Sequence, residues 1–276
     1  EVANEDLFLS SHSWGHQLQK ALGDDFVLLD KKSMLAIRLH VFVKRKISNR
    51  VHCLSSSAEG TGVANVLGNK GAVAVKFKVD DTTLAFVSAH LAAHEGAKNL
   101  ARRNDDVKEI MRSIEPLGQG RSVPLMHRAN HVFWMGDLNY RLDLTKTQPE
   151  ASAWKTSERV SYVKDEILHG RLKSLFANDE LSTEVTSVDG VFSCFVEGEV
   201  RFPPTFKVVP DSSGFFYDCD RVPSYCDRIL WHSLARHRSH IRLQKYDAVP
   251  EIKTSDHKPI FAVFQVYIPK PYPSVA

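Results

Sequence analysis

The stretch from Gly71 to Ala89 constrains the fold most tightly. GAVAVKFKV (71–79) and TTLAFVSA (82–89) are separated only by Asp80-Asp81. Two runs rich in β-formers, the first turning to strict apolar/polar alternation, joined by so short an acidic turn, predict a β-hairpin. From Lys98 to Ile114, Leu100, Val107, Ile110, Met111 and Ile114 recur at helical spacing, which predicts a surface helix with Arg102, Arg103, Lys108 and Glu109 toward water. HVFWMG (131–136) then reads as a short buried strand. Strands joined now by a tight turn and now by a helix predict a mixed sheet in a layered α/β protein.

The remaining segments fit that frame. Trp14, Leu18 and Leu22 lie four apart on one face of an expected helix that Gly23 stops, and DDFVLLD and MLAIRLHVFV read as strands. Residues 161–177 read as helical with a break at Gly170, residues 203–225 as a long ordered loop, and DRILWHS and PIFAVFQVYI as two further strands. The chain's 276 residues are expected to form a single domain. Lys+Arg 36 against Asp+Glu 33 leaves a net charge of +3, too small a surplus to predict a nucleic-acid partner. The four cysteines (Cys53, Cys194, Cys219, Cys226) have neither disulfide-framework nor zinc spacing and point to a reducing, cytoplasmic compartment. No run approaches the ~18 apolar residues of a membrane span, and EVANEDLFLSS lacks the pattern of a signal peptide.

Three apolar strands abut polar residues suited to chemistry. TTLAFVSA runs into His90, HVFWMG into Asp137 and Asn139, and Ser255-Asp256-His257 precedes PIFAVF. Side chains at strand ends leave the core on a rigid support. Two imidazoles, two carboxylates and an amide gathered there suit metal-assisted phosphate hydrolysis. A carboxylate such as Asp256 attracts Mg2+, another orients water, and His and Asn donate to phosphoryl oxygens. Other phosphate chemistries fail on spacing. Cys194 and Arg201 have six intervening residues rather than the five of a cysteine phosphatase, GNKG (68–71) is not a P-loop, and His94-Glu95 does not belong to HExxH.

LGNKGAVAVKF (67–77), SAHLAAHEGAKNLARRNDD (88–106), FWMGDLNYRL (133–142), FPPTFK (202–207), RVPSYCDRILW (221–231) and TSDHKPI (254–260) together resemble the inositol polyphosphate 5-phosphatase family of the endonuclease/exonuclease/phosphatase fold. GDxN or SDH alone is weak, whereas FPPTFK followed by VPSYCDRILW separates inositide phosphatases from the nucleases of that fold. The resemblance implies a DNase I-like four-layer sandwich, two packed mixed β-sheets flanked by helices.

It also implies roles. Asp137 positions or activates the attacking water with Asn139 beside it, His257 contacts the scissile phosphate and is held by Asp227, and His90 offsets the developing charge. Asp256 helps to hold Mg2+, and Glu1 stands where the family has a metal-ligating Glu. Lys207 and Arg221 grip the neighbouring 4-phosphate, as a point charge and a fork of donors suit, with Lys70 and Arg228 as weaker substrate-binding candidates. Asn104, in ARRN, braces the His90 loop. Two departures stand out. Phe206 replaces a Tyr found in many members, and no Trp-Asn motif precedes Glu1, so the family's first strand is missing from the chain.

The expectation is thus a Mg2+-dependent 5-phosphatase of phosphoinositides or soluble inositol polyphosphates, monomeric and peripheral at membranes. Leu91, Phe215 and Phe216 are candidates for transient bilayer contact. A catalytically silent phosphoinositide-binding module and a nuclease of the same fold are the alternatives.

Overall fold

The computed structural model describes residues 14–61, 70–114, 124–218 and 220–269. A helix α1 (14–22) ends at Gly23, whose φ of 75° and amide bond to the Gln19 carbonyl close it as a C-cap. Its expected apolar face is not buried, for Trp14 and Leu22 are exposed.

The central sheet has six strands in the order β3-β4-β5-β6-β8-β7. They are β3 (Val51–Gly60), β4 (Gly71–Val79), β5 (Thr82–His90), β6 (His131–Asp137), β7 (Val196–Glu197) and β8 (Asp227–Ser233). The hairpin expected from the sequence is β4–β5, antiparallel from Gly71↔His90 to Val79↔Thr82. Helix α2 (Ala97–Ser113) carries the chain over to β6, which pairs with β5 in parallel, while β8 pairs with β6 antiparallel. Helices α3 (Thr156–Leu168), α4 (Leu172–Phe176) and α5 (Glu180–Thr186) follow, with the expected break at Gly170.

Both faces of the central strands are covered. Ala72, Ala74, Val87 and Trp134 pack under Val107 and Ile110 of α2. On the opposite face Val73, Val75, Phe77 and Phe133 meet two antiparallel hairpins, β1–β2 (Phe26–Met34, Ile37–Lys44) and β9–β10 (Ile241–Ala248, Ile260–Val266). Among the described residues the second layer is therefore two separate two-stranded pieces. Between them lies a cavity of about 450 Å3 lined by Leu39, Val41, Phe86, Phe133, Met135 and Phe264.

α2 departs from the sequence expectation on one side. Arg103, expected to face water, is fully buried and pairs with Glu180 at 2.6 Å. The acid that makes this burial tolerable lies 77 residues away, at the start of α5.

Candidate active site

Strand register builds the site. His90 is opposite Asp137 at the ends of β5 and β6, and Asp137 is opposite Asp227 at the start of β8, so three candidate side chains occupy one row across the sheet rim. His90 Nε2 lies 3.1 Å from Asp137 Oδ2 and also meets the ammonium of Lys70. At the other end of the row Asp227 Oδ2 accepts from His257 Nδ1 at 2.8 Å and from the Thr205 hydroxyl at 2.7 Å. Ligand atoms of Asp137, Asp227 and His257 all lie within 4.8 Å of one another.

His257 arrives on a loop that is laced in place. Val208 and Lys258 donate their amides to the Asp256 and Thr205 carbonyls, and Phe206 and Ser224 exchange both backbone bonds. FPPTFK is thereby stitched between Ser224 and the SDH segment, and the Phe206 ring lies 4.6 Å from the His257 ring, centroid to centroid. Fully buried Lys258 ties the two loops from below, donating to the Ser212 and Ile252 carbonyls.

Charge follows from this packing. Burial pulls the His257 pKa down, but the hydrogen bond and charge of Asp227, with the charges of Asp137 and Asp256, outweigh it and raise it to about 9. Burial pushes the Asp137 carboxyl up, yet the bond from His90 and the charges of His257, His90 and Lys70 hold it below the ordinary carboxylate range. Burial lowers the Lys70 ammonium against the pull of Asp137 and Asp106. The site is an anionic Asp137 set between cationic or hydrogen-bond-donating neighbours, suited to an attacking water and a dianionic group together.

The structure therefore brings His90, Asp137, Asp227, His257 and Lys70 together. Asn139 is adjacent and nearly buried. Its amide nitrogen donates to the Leu91 carbonyl, its Oδ1 accepts from Arg141, and its backbone N–H bonds Asp137 Oδ1. Lys207, next in the chain to Phe206, is held by Asp218 at 3.2 Å and Asp220 at 3.6 Å, and exposed Arg221 shares a cavity of about 150 Å3 with His94 and Arg141.

Four expectations need correction. Arg228 binds no substrate: it is fully buried, its guanidinium taken by Asp179 and Glu197. Asn104 does not brace the His90 loop. Its side chain joins Tyr140 and Glu184, and the loop is instead held by Arg103, donating to the Ala92 and His94 carbonyls, and by Asp106, accepting from the Ala92 amide. Asp256 is not in the converging metal-binding group, although its charge bears on His257, and Glu1 lies outside the described residues. Leu91 is fully buried and Phe215 packs on the core, which leaves only Phe216 exposed.

Sequence reasoning missed Thr205, within the quoted FPPTFK, and Arg141, within GDLNYRL. The signal for Thr205 was its place in a motif too specific for a mere loop.

The donor set tests the fit of a divalent ion. Mg2+ prefers oxygen ligands. Asp137 and Asp227 fit that preference, whereas His257, the third member of the group, offers a nitrogen, and its Nδ1 is already bonded to Asp227.

Comparison with known proteins gives concordant findings. Residues 1–263 match the family described as Endonuclease/Exonuclease/phosphatase family 2. Phosphatidylinositol 3,4,5-trisphosphate 5-phosphatase 1 of Xenopus laevis is 33% identical over 275 residues, covering 94% of this chain and 25% of that protein. Phosphatidylinositol 3,4,5-trisphosphate 5-phosphatase 2 of Homo sapiens is 35% identical over 252 residues, 88% of this chain and 18% of that protein. The chain thus spans a quarter or less of the length of these relatives. Among solved structures, the inositol polyphosphate 5-phosphatase domain of spsynaptojanin, in complex with inositol (1,4)-bisphosphate and calcium ion, superposes with a TM-score of 0.70 at 30% identity, covering 87% of this chain and 64% of that one. Cimex nitrophorin superposes with a TM-score of 0.69 at 17% identity over 97% of this chain and 83% of that one, a likeness of fold alone.

Proposed function

Because the chain belongs to the endonuclease/exonuclease/phosphatase family 2, we propose that its rim site hydrolyses the 5-phosphate of phosphoinositides or soluble inositol polyphosphates with Mg2+ as cofactor. The observation that carries this reading is the single row of His90, Asp137 and Asp227, with His257 hydrogen-bonded to its far end.

In this reading Asp137, kept anionic by its neighbours, accepts a hydrogen bond from the attacking water and orients it toward phosphorus. His257, protonated up to about pH 9, donates to a phosphoryl oxygen as charge shifts, and Asp227 fixes its ring through Nδ1. Lys70, whose ammonium lies against His90 Nε2, brings positive charge to the other side. Asp137 and Asp227 would hold the metal, which when bound supplies Lewis-acid stabilisation of negative charge at phosphorus. Lys207 and Arg221 grip the adjacent 4-phosphate, whose binding orients the ring without being cleaved.

Lipid substrates bring the protein to a bilayer. The loops 209–216 and 250–253 are joined by backbone bonds, and they present exposed Phe216, Val209 and Ile252 on segments close in the chain to Lys207 and His257. Phe216→Ser is expected to slow turnover of vesicle-borne substrate while leaving soluble inositol phosphates unaffected.

The test is phosphate release from vesicles bearing PI(4,5)P2 or PI(3,4,5)P3 and from soluble inositol polyphosphates, with Mg2+ and with EDTA. Release confined to 5-phosphorylated compounds, lost with EDTA and in Asp137→Ala, is expected. Binding of these vesicles without release would overturn the enzyme reading in favour of a silent binding module, and cleavage of plasmid or abasic DNA under the same conditions would favour a nuclease.

A further inference from the structure

Three arginines are buried in the described structure, and they differ in what neutralises them. Arg103 has Glu180, and Arg228 has Asp179 and Glu197. Arg141, 5% exposed, pairs with no carboxylate among the described residues. Its Nε donates to the Asn139 carbonyl at 3.0 Å, its Nη2 to Asn139 Oδ1 at 2.7 Å, and its guanidinium carbon lies 4.9 Å from the centroid of the Phe206 ring.

A buried cation without an anion is costly, and a purely structural position would be better served by an apolar side chain of similar volume. What Arg141 touches gives the reason. Asn139 sits at a φ of 57° and uses its amide to hold the Leu91 carbonyl, next in the chain to His90. Phe206 lies against His257. Each histidine is thus one contact removed from a group that this guanidinium holds.

We propose that Arg141 is a positioning residue that sets the two halves of the rim site, His90 with Asn139 and His257 with Phe206, against each other around Asp137. The inference rests on the phosphatase reading for its catalytic consequence, but the coupling itself is structural and is read without turnover. A planar fork bonds Asn139 twice while lying near the ring; an ammonium is a point donor and cannot do both.

The test compares Arg141→Lys, Arg141→Met and Phe206→Leu in the intact chain, each first checked for a native thermal transition. In kinetics on the preferred inositide, Arg141→Met is expected to lower kcat about 100-fold with KM nearly unchanged, since a displacement near 1 Å costs about that much. Arg141→Lys should recover part of the loss, and Arg141→Met/Phe206→Leu should lose less than the product of the single losses. In parallel, NMR of the ring protons of His257 and the side-chain amide of Asn139 should show both signals displaced in Arg141→Met, and the His257 signal alone displaced in Phe206→Leu. A raised KM at unchanged kcat would overturn the proposal by making Arg141 a substrate-gripping group. Unmoved His257 and Asn139 signals would overturn it whether or not the protein is an enzyme. Wild-type protein inert toward every inositide would sink the phosphatase reading, leaving the NMR comparison to decide the coupling.

Discussion

Asp227 serves two donors with one oxygen, and that economy governs His257. Replacing it by Asn removes the hydrogen-bonded anion that raises the imidazole to about 9. Asp227→Asn is therefore expected to move the alkaline limb of the kcat profile toward the ordinary histidine value near 6.5 and to lower kcat at neutral pH by roughly 100-fold. Stability shifts with a defined sign. A group whose folded pKa is raised contributes fully below its unfolded value and loses that contribution as pH rises through about 9, so urea midpoints of wild type and variant should differ at pH 6 and converge by pH 10. At this scale the sequence was readable where chemistry sits in a short motif. His90, Asp137 and Asp227 each close or open an apolar strand, and the rigid rim then leaves them little choice of place. Arg103 and Arg228 were unreadable for the opposite reason. Each is buried by an acid 77 or 49 and 31 residues distant, and nothing local distinguishes such an arginine from a solvated one.

The parallel pair β5–β6 brings two strand ends to the same rim, and a glycine sets how closely they approach. Gly136 has a φ of 133°, and a Cβ there would come within 2.0 Å of the Ala89 carbonyl oxygen, in the register pair next to His90 and Asp137. Gly136→Ala is expected to force the strands apart, costing about 2–4 kcal/mol in denaturant titration. It should also displace Asp137 from His90, which a crystal structure of the variant would show as a separation beyond the present 3.1 Å. An unchanged midpoint would mean that the rim yields without penalty. The hairpin β4–β5 was legible because its strands are apolar around a two-residue turn. β3 was not. VHCLSSSAEG has a polar centre, and it becomes a strand because the edge of β4 offers it a ladder.

Across the whole molecule the sheet has two unlike rims. Opposite the site, where β6 begins, fully buried His131 lies against Ser233 with His237, His240 and His232 about it. Burial, with the charges of those three histidines, lowers its pKa to about 4. The folded form resists a proton that the unfolded chain accepts near 6.5, so stability is full above that value and falls as pH drops toward 4, by an amount on the order of 3 kcal/mol. His131→Gln should flatten this acid decline in urea titrations between pH 7 and 4; an identical decline would assign it to other groups. The layer over the opposite face has a different weakness. β1–β2 and β9–β10 each pair only with themselves among the described residues, leaving an aromatic-floored gap between them. Such a seam is where the molecule breathes first. In deuterium exchange the amides of β2 and β10 should lose protection well before those of β5 and β6, so this layer can loosen over the sheet face while His90, Asp137 and Asp227, carried by the inner sheet, keep their places.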